Sequence, residues 1–306
     1  MIKVVSYLAG IPPSTKNEGK KEILTRFAEG VAAVGDKSIL HTGTNIIPCD
    51  VAFIQGWTHE LGKTSPHLTL RQQVIDEQRR RNKRLLIADS NIFGYKNKNH
   101  PSNYLRYSFD GVFPTTGNYF AENPNPERWE QISQDLSLSL KPWRSQGNHI
   151  LICTQRNGGW SMKGLSVMEW LDQTVTMIRQ YTDRPIRVRA HPGDRSSKNY
   201  LIKPKKSQWE LSKNVELLDD FVDAWAVVTY NSSPGVAAAI EGIPVFVTDP
   251  VVQTSQAFAV ANTKLELIEA PEIRERQSWV ERLAMSHWNF EELSNGSAWK
   301  HIRQFI

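Results

Sequence analysis

The stretch TYNSSPGVAAAIEGIPVFVTDP, residues 229–250, reads as the end of a strand, a tight turn, a short helix and a second strand. Its predicted helix, about residues 234–241, begins with Pro234, a residue that favours the first helical turn. The small residues that follow allow this helix to pack closely on a sheet. Apolar strands alternate with helical patterns elsewhere in the chain as well, and this alternation predicts an α/β fold with parallel sheets.

The alternation divides the chain into two halves. In the second half we predict a helix over residues 165–182 and strands at residues 149–155, 185–190, 215–218, 224–230 and 244–248. In the first half we predict helices near residues 20–34 and 70–82 and strands at residues 2–8, 51–55 and 84–88. The stretch KPWRSQG, residues 141–147, indicates a linker. We therefore expect two Rossmann-like domains, residues 1–145 and 146–306, with an interdomain cleft and a final helix free to pack back on the first domain.

A long segment of the first half, residues 95–126, is rich in Pro, Gly and Asn. It carries an aromatic cluster of six residues: Tyr104, Tyr107, Phe109, Phe113, Tyr119 and Phe120. Irregular segments of this length in a compact domain are usually functional or disordered, and the aromatic content argues against disorder.

The charge of the chain is unevenly distributed. The 306 residues carry a formal net charge of +5, and 40% of them are hydrophobic, which excludes a wholly disordered chain. Residues 1–150 contain 19 Lys and Arg against 14 Asp and Glu, whereas residues 151–306 contain 18 of each. The entire excess therefore lies in the first half, which indicates an anionic partner for that half.

The two cysteines, Cys49 and Cys153, exclude a disulfide framework and a cysteine-rich metal site. No stretch approaches the roughly 18 apolar residues of a membrane span. We expect a soluble, cytoplasmic protein with no membrane partner.

The turn before the predicted helix of residues 234–241 favours an anion. Ser232 and Ser233 offer hydroxyls there, and the helix start offers free backbone N–H groups. Glu241, about two turns further on, has a carboxylate that accepts hydrogen bonds from sugar hydroxyls. The alternative is a serine-capped structural helix.

Residues 229–250 resemble the donor-site signature of GT-B-fold glycosyltransferases, in the variant with a serine pair before the helix. The run Arg189-Ala190-His191-Pro192 points the same way, and capsule-polysaccharide and Kdo-type transferases carry a similar arrangement. The resemblance implies that Ser232, Ser233 and Gly235 bind donor phosphate and that Glu241 binds ribose. It also implies that His191 faces the donor or its leaving group.

Two further groups of residues are candidates for the donor site. The loop QRNGGWS, residues 155–161, has Gly158 and Gly159 to permit close backbone approach, and Arg156 to neutralise a leaving phosphate. Its alternative is an ordinary strand-to-helix turn. Arg189 is the second phosphate candidate, although an arginine on an inner strand is usually paired with a carboxylate.

The first half is expected to bind the acceptor and to supply a general base. Asp89 and His59 follow predicted strands and are the candidate bases, with a turn or helix-cap role as the alternative for Asp89. Arg80 and Arg81 belong to a basic run that ends a predicted helix, and most such runs are merely solvated. Tyr104 and Arg106 complete the predicted acceptor residues, because charge and aromatic surface are what a nucleic-acid acceptor needs.

The resemblance implies a glycosyltransferase, a hexosyl- or pentosyltransferase, that needs no cofactor besides a nucleotide-sugar co-substrate, expected to be UDP-linked. Because no DxD-like motif lies in a suitable loop, we expect the enzyme to be metal-independent. Stretches such as ERWEQI and DRPIRVRAHPGD are also similar to uncharacterised phage-encoded glycosyltransferase-like proteins. That similarity implies a hydroxymethylated pyrimidine of phage DNA as acceptor, in the host cytoplasm, and a base flipped into a pocket. The alternatives are a capsule or surface polysaccharide acceptor, a sugar-nucleotide epimerase, and an inactive nucleotide- or DNA-binding module. The oligomeric state and the stereochemical outcome stay open.

Overall fold

The computed structural model describes residues 1–12, 18–58, 65–96, 103–162, 164–194, 196–201, 208–249 and 254–306. The chain divides into two compact units. The first unit comprises Met1–Gly94, Asn99–Trp129 and Glu281–Ile306, and the second comprises Tyr95–Lys98 and Glu130–Val280. The boundary expected between residues 145 and 146 therefore lies inside the second unit, and the C-terminal segment belongs to the first.

The strands and helices alternate along most of the chain. The strands are β1 (Lys3–Tyr7), β2 (Lys37–His41), β3 (Val51–Gln55), β4 (Arg84–Asp89), β5 (Leu105–Phe109), β6 (His149–Cys153), β7 (Ile186–Arg189), β8 (Glu210–Leu211), β9 (Ala224–Thr229), β10 (Val245–Val247) and β11 (His287–Trp288). The helices are α1 (Glu18–Ala33), α2 (Pro66–Arg80), α3 (Pro126–Asp135), α4 (Val167–Ile178), α5 (Ser197–Tyr200), α6 (Leu217–Phe221), α7 (Pro234–Ile240), α8 (Gln277–Ala284), α9 (Phe290–Ser294) and α10 (Ser297–Ile302). No helix among the described residues is long and apolar enough to cross a membrane.

Each unit is built on its own sheet. In the described part of the first unit the strand order is β11-β5-β4-β3-β1-β2, with β1 to β4 parallel and β5 and β11 each antiparallel to its neighbour. In the second unit the order is β10-β9-β6-β7-β8, and all these strands are parallel. The predicted α/β class with a Rossmann-like sheet in each half is confirmed.

The core of the first unit lies between the sheet and α1. Apolar side chains recur on α1 at helical spacing, and Phe27 and Val31 are completely buried. The C-terminal helices α9 and α10 pack on the same helix, and Trp299 is also completely buried. The C-terminal segment therefore completes this core, and β11 extends the sheet beside β5.

The aromatic segment of residues 95–126 differs from the expectation. It contains β5, which pairs antiparallel with β4. The six residues of the aromatic cluster are all buried, at 7% exposure or less. They form part of the core and are not a surface on which bases of a ligand stack.

Two further expectations are wrong in the second unit. Residues 215–218, expected as a strand, instead run into α6, which begins at Leu217, and the edge strand beside β7 is β8. Val215 is 81% exposed, so it lacks the burial that a strand of the core requires. The expected linker of residues 141–147 is fixed to the second unit, because Lys141 N–H donates to Ile240 O at 2.9 Å and Arg144 N–H donates to Gly242 O at 2.7 Å.

Candidate functional site

Three loops meet where the parallel strands of the second sheet end, here called the carboxyl edge of that sheet. Gln155 follows β6, and its side-chain oxygen accepts a hydrogen bond at 3.0 Å from the backbone N–H of Asn231, which follows β9. Thr154 connects the β6 and β7 loops, because its hydroxyl accepts a hydrogen bond from His191 N–H at 3.2 Å. The loops thus form one surface, at the position where open α/β sheets bind ligands.

Arg156 is an exposed cation on this surface. A Cβ built on Gly193 would lie 2.7 Å from Nη2 of Arg156, so the guanidinium lies directly over Gly193 in the loop after β7. Among the described residues no carboxylate forms an ion pair with Arg156. Gly158 adopts a φ of +68°, and Gly159 N–H donates to Arg156 O at 3.0 Å. The two glycines turn the loop beside Arg156 and leave its charge available to an anion.

His191 lies beside Arg156 and is partly buried. Burial, and then the nearby charge of Arg156, lower the pKa of His191, so the ring is neutral at pH 7. Its Nδ1 accepts a hydrogen bond from Gly193 N–H at 3.0 Å. The single proton of the neutral ring therefore lies on Nε2, and His191 is a hydrogen-bond donor at that atom.

Asp194 holds the β6 and β7 loops together and was missed by the sequence reasoning. Its Oδ2 accepts hydrogen bonds from Asn157 N–H at 2.8 Å and from the Tyr200 hydroxyl. Its Oδ1 accepts from the N–H of Ser196 at 3.0 Å and from the hydroxyl of Ser196 at 2.6 Å. Burial alone would raise the pKa of Asp194, but these hydrogen bonds outweigh it and lower that pKa to about 2. The Asp at the end of HPGD was the available signal, since a turn Asp commonly accepts from the backbone two residues on.

The serine pair lies where β9 leads into α7. Ser233 is exposed and makes no side-chain capping bond, whereas Ser232 Oγ is buried without a hydrogen-bond partner among the described residues. Gly235 is buried, and a Cβ there would lie 3.3 Å from a methyl of Val245 and 3.4 Å from Cβ of Ala257. The contacts of Gly235 therefore explain it as a close-packing position, while the buried Ser232 hydroxyl has a hydrogen-bonding capacity that no described residue satisfies.

Asn231 fixes the turn that presents these serines, and sequence reasoning gave it no role. Its side-chain amide donates to Thr254 Oγ1 at 2.9 Å and to Ser161 O at 3.2 Å. Gln155 Nε2 in turn donates to Ser161 Oγ at 2.6 Å. Because buried amides must be hydrogen-bonded, this network sets the geometry of the surface.

Arg189 does not fit the predicted phosphate role. Its side chain is buried, and Nη1 donates to Asp220 Oδ2 at 2.5 Å. The remaining hydrogen bonds of its guanidinium go to three backbone carbonyls: Asn214, Val215 and Glu216. Arg189 therefore forms a structural ion pair with Asp220, which was the alternative to a phosphate role.

Glu241 lies at the far end of α7 from the serine pair. Seven helical residues separate the two, which is about 10 Å along the axis. Its buried carboxylate accepts a hydrogen bond from the Tyr95 hydroxyl at 2.8 Å and pairs with Lys96 at 3.2 Å and with Lys141. Burial would raise the pKa of Glu241, but these partners outweigh it and lower the pKa. The structure does not bring Glu241 together with Ser232, and its ribose role stays a prediction.

In the first unit, two of the predicted acceptor-side residues contact each other. Asp89 is at the end of β4, and its Oδ2 accepts a hydrogen bond from Arg106 Nη2 at 2.6 Å. Arg106 is buried and Asp89 is partly exposed. Tyr104 is buried, with the Arg128 guanidinium 5.7 Å from its ring centroid, so it belongs to the core.

The other predicted residues of the first unit lie elsewhere. Arg80 ends α2 and pairs with Glu77 at 2.8 Å, and Arg81 follows it. Both precede β4, whereas Asp89 ends it, and the two ends of this strand are about 17 Å apart. The structure therefore separates the basic run from the candidate base. His59 lies outside the described residues.

No group of three or more His, Cys, Asp or Glu side chains within the described ranges is arranged to hold a metal ion. No protein-family model and no curated protein sequence matches the chain.

The fold is similar to that of solved structures. One is Thermosulfurimonas dismutans KpsC, a beta Kdo 2,4 transferase, with a TM-score of 0.55 and 13% identity over 93% of this chain and 90% of that chain. Another is Thermosulfurimonas dismutans KpsC as a beta Kdo 2,7 transferase, with a TM-score of 0.51 and 13% identity over 99% of this chain and 100% of that chain. At this identity the likeness shows the fold alone. That fold is the GT-B type, as the sequence predicted.

Proposed function

We propose that this chain is a glycosyltransferase that moves a sugar from a nucleotide-sugar donor, expected to be UDP-linked, to an acceptor hydroxyl. The observation that carries the proposal is Arg156, which has no ion-pair partner among the described residues, beside the neutral His191 at the carboxyl edge of the second sheet. A cation and a directed N–H donor at this edge are the groups that a nucleoside phosphate requires.

Each group has a defined role in this proposal. The Arg156 guanidinium neutralises the donor phosphates, and His191 Nε2–H donates to a phosphate oxygen. The Ser232 hydroxyl, which lacks a partner among the described residues, donates to a second oxygen. Negative charge develops on the leaving phosphate as its bond to the sugar breaks, and fixed donors aimed at that charge lower the barrier. In this proposal Arg189 supports the unit and does not touch the donor, while binding of the donor ribose by Glu241 stays a prediction.

Transfer forms a bond between the acceptor oxygen and the anomeric carbon, while the bond from that carbon to the phosphate oxygen breaks. The acceptor proton goes to a base, for which we propose Asp89 in the case of inversion. Its ion pair with Arg106 fixes the carboxylate in one orientation and leaves it partly exposed.

For the acceptor we propose a hydroxymethylated pyrimidine in DNA. The support for it is the positive excess of residues 1–150. A polysaccharide hydroxyl is the second candidate, favoured by the Kdo transfer named for both similar structures.

The test incubates the protein with a panel of nucleotide sugars and with either hydroxymethylated DNA or a Kdo-containing oligosaccharide. Mass spectrometry of the nucleosides after digestion, and of the oligosaccharide, detects the added sugar. A mass gain on the DNA supports the first acceptor, and a gain on the oligosaccharide supports the second and overturns the first. A protein that neither transfers sugar nor binds any nucleotide is not the proposed enzyme.

A single substitution tests the donor site itself. Arg156→Met removes the one cation that the proposal places on the phosphates, so we expect UDP to bind about tenfold more weakly or worse in isothermal titration calorimetry. The matched control is Arg187→Met on β7, whose guanidinium pairs with the exposed Glu210. Equal UDP affinities for the wild type and Arg156→Met would refute the assignment.

A further inference from the structure

Arg71 is a buried cation on α2 that the proposed function leaves unused. Only 7% of its surface is exposed. It lies three residues before Val74 and seven before Gln78, on the face that α2 buries against the first unit. An arginine on such a face needs a partner, because burying a charge is costly unless it is paired.

The guanidinium of Arg71 lies where the parallel strands of the first sheet end. Its Nε donates to Gly10 O at 2.7 Å, and Gly10 follows β1. A Cβ built on Gly56, which follows β3, would lie 3.2 Å from Nη1. Gly56 N–H donates to Ala88 O at 2.8 Å, one residue before Asp89. Arg71 thus lies at the edge that carries Asp89, and two glycines leave room for its side chain.

The other buried arginines of the described residues show what is missing at Arg71. Each pairs with a carboxylate: Arg106 with Asp89, Arg128 with Glu292 and Arg189 with Asp220. Within the described residues, Arg71 has no carboxylate partner, and its one hydrogen bond goes to a carbonyl through Nε.

The charge of Arg71 persists in this site. Burial lowers its pKa to about 10, so the guanidinium stays charged at pH 7. One turn earlier on α2, the pKa of His67 is lowered by burial and then by Arg71 itself, so that ring is neutral and supplies no competing charge. The two Nη groups are left to bind an anion, and a guanidinium binds carboxylate or phosphate in a two-pronged manner.

We propose that Arg71 binds an oxyanion of the acceptor, a carboxylate or a phosphate group, at the carboxyl edge of the first sheet. The site itself stands on the geometry of Arg71; only the owner of the anion, the acceptor, rests on the proposed function. The anion would supply the counter-charge that no described residue supplies, and it would place the acceptor near Asp89.

The experiment measures anion binding to the full chain without any sugar donor. Inorganic phosphate and glucuronate are titrated separately, and the side-chain Nε–H resonance of Arg71 is followed by NMR. We expect this resonance to shift in a saturable manner with at least one anion, and the anion that binds more tightly identifies the class. A wild-type protein in which neither anion shifts the resonance overturns the proposal, whether or not any variant folds.

Variants then test the residue. Arg71→Met should lower the affinity for the anion about tenfold or more. Arg71→Lys, which keeps the charge, should have an affinity between those of the wild type and Arg71→Met. Arg79→Met is the matched control, because Arg79 is exposed on the same helix two turns further on, and it should bind as the wild type does. A folded Arg71→Met with wild-type anion affinity contradicts the site.

Failure of the two proposals can be told apart, because this assay contains no donor and requires no transfer. Saturable anion binding with no transfer in any panel leaves the Arg71 site standing and removes the proposed function. If the protein transfers sugar to an acceptor and Arg71→Met leaves the KM for that acceptor unchanged, the proposed function stands and the Arg71 site is refuted.

Discussion

The buried guanidinium of Arg189 and the buried carboxylate of Asp220 stabilise each other through an ion pair. Asp220 is completely buried, and besides Arg189 it accepts hydrogen bonds from Ser212 at 2.5 Å and from Asn214 at 2.8 Å. Arg189→Met would leave that carboxylate without its cation, and removing one partner of a buried pair costs about 3–5 kcal/mol. We expect the free energy of unfolding, measured in urea, to fall by this amount.

The same strand offers the control. Arg187 pairs with Glu210 at 3.3 Å, with the Glu210 side chain exposed and the Arg187 side chain partly exposed, so Arg187→Met should cost at most about 1 kcal/mol. Equal losses in the two variants would mean that the pair at Arg189 is not what holds this part of the unit together. UDP affinity at a temperature where both variants are folded should equal that of the wild type.

These two arginines also show the limit of sequence reasoning about single residues. Their spacing predicts that both lie on one face of a strand, but burial of one and exposure of the other depend on the neighbouring segment. The backbone carbonyls of residues 214–216 accept hydrogen bonds from Arg189, and the sequence of β7 does not predict these contacts. Arg71 was missed for a related reason, because its importance lies in the lack of a carboxylate partner among the described residues. Asp194 was missed although most of its hydrogen bonds come from Ser196 and Tyr200, which are close to it in sequence.

At the scale of elements, α1 and α9 approach each other at Gly30. A Cβ at this position would overlap the carbonyl oxygen of Leu293 and lie 3.1 Å from Cα of Gly296. Replacing glycine by alanine in a helix normally stabilises a protein by about 0.5–1 kcal/mol. We expect Gly30→Ala to have the opposite sign, because backbone must move to admit the methyl group.

Gly19 on the same helix is the matched control, since a Cβ there meets nothing within 4 Å. Thermal unfolding should show a lower Tm for Gly30→Ala and an unchanged or slightly higher Tm for Gly19→Ala. A Gly30→Ala protein as stable as the wild type would show that α9 can shift without cost.

The central strands were predictable because each is a continuous apolar run, as in β3 and β9, and parallel strands buried on both faces have this pattern. The strands that were missed are β2, β5, β8 and β11. β5 begins with Leu-Arg-Tyr-Ser inside a segment rich in turn residues, and β8 and β11 have two residues each, which is too short for any period. Their place is set by pairing with a neighbour.

At the scale of the whole molecule, the two units do not simply follow one another along the chain, because the first unit includes the C-terminal segment. The sequence predicts a second domain that runs to the last residue, with a final helix free to pack back on the first domain, and the C-terminal segment supplies core residues of the first unit, among them Leu293, Trp299 and Ile302. Neither the amino-acid composition nor the spacing of apolar residues indicates which of two sheets a terminal helix packs on. The residues predicted for the donor site, by contrast, all lie between residues 156 and 241, inside the continuous stretch Glu130–Val280 of the second unit, so a linear division of the chain assigns them to one unit.

This division of the chain leads to a prediction about local stability. Trp299 is completely buried in the first unit and donates to Asp36 Oδ2 at 2.8 Å, whereas Trp170 is buried in the second unit and donates to Thr248 Oγ1 at 2.7 Å. Each Trp→Ala change should cost about 3–5 kcal/mol, and the loss should stay within the unit concerned. Hydrogen exchange read by mass spectrometry should therefore speed up in β1, β3 and α1 for Trp299→Ala, and in β6, β9 and α4 for Trp170→Ala. A uniform increase over both units in either variant would mean that the chain unfolds as one cooperative body and that its two cores do not have separate stabilities.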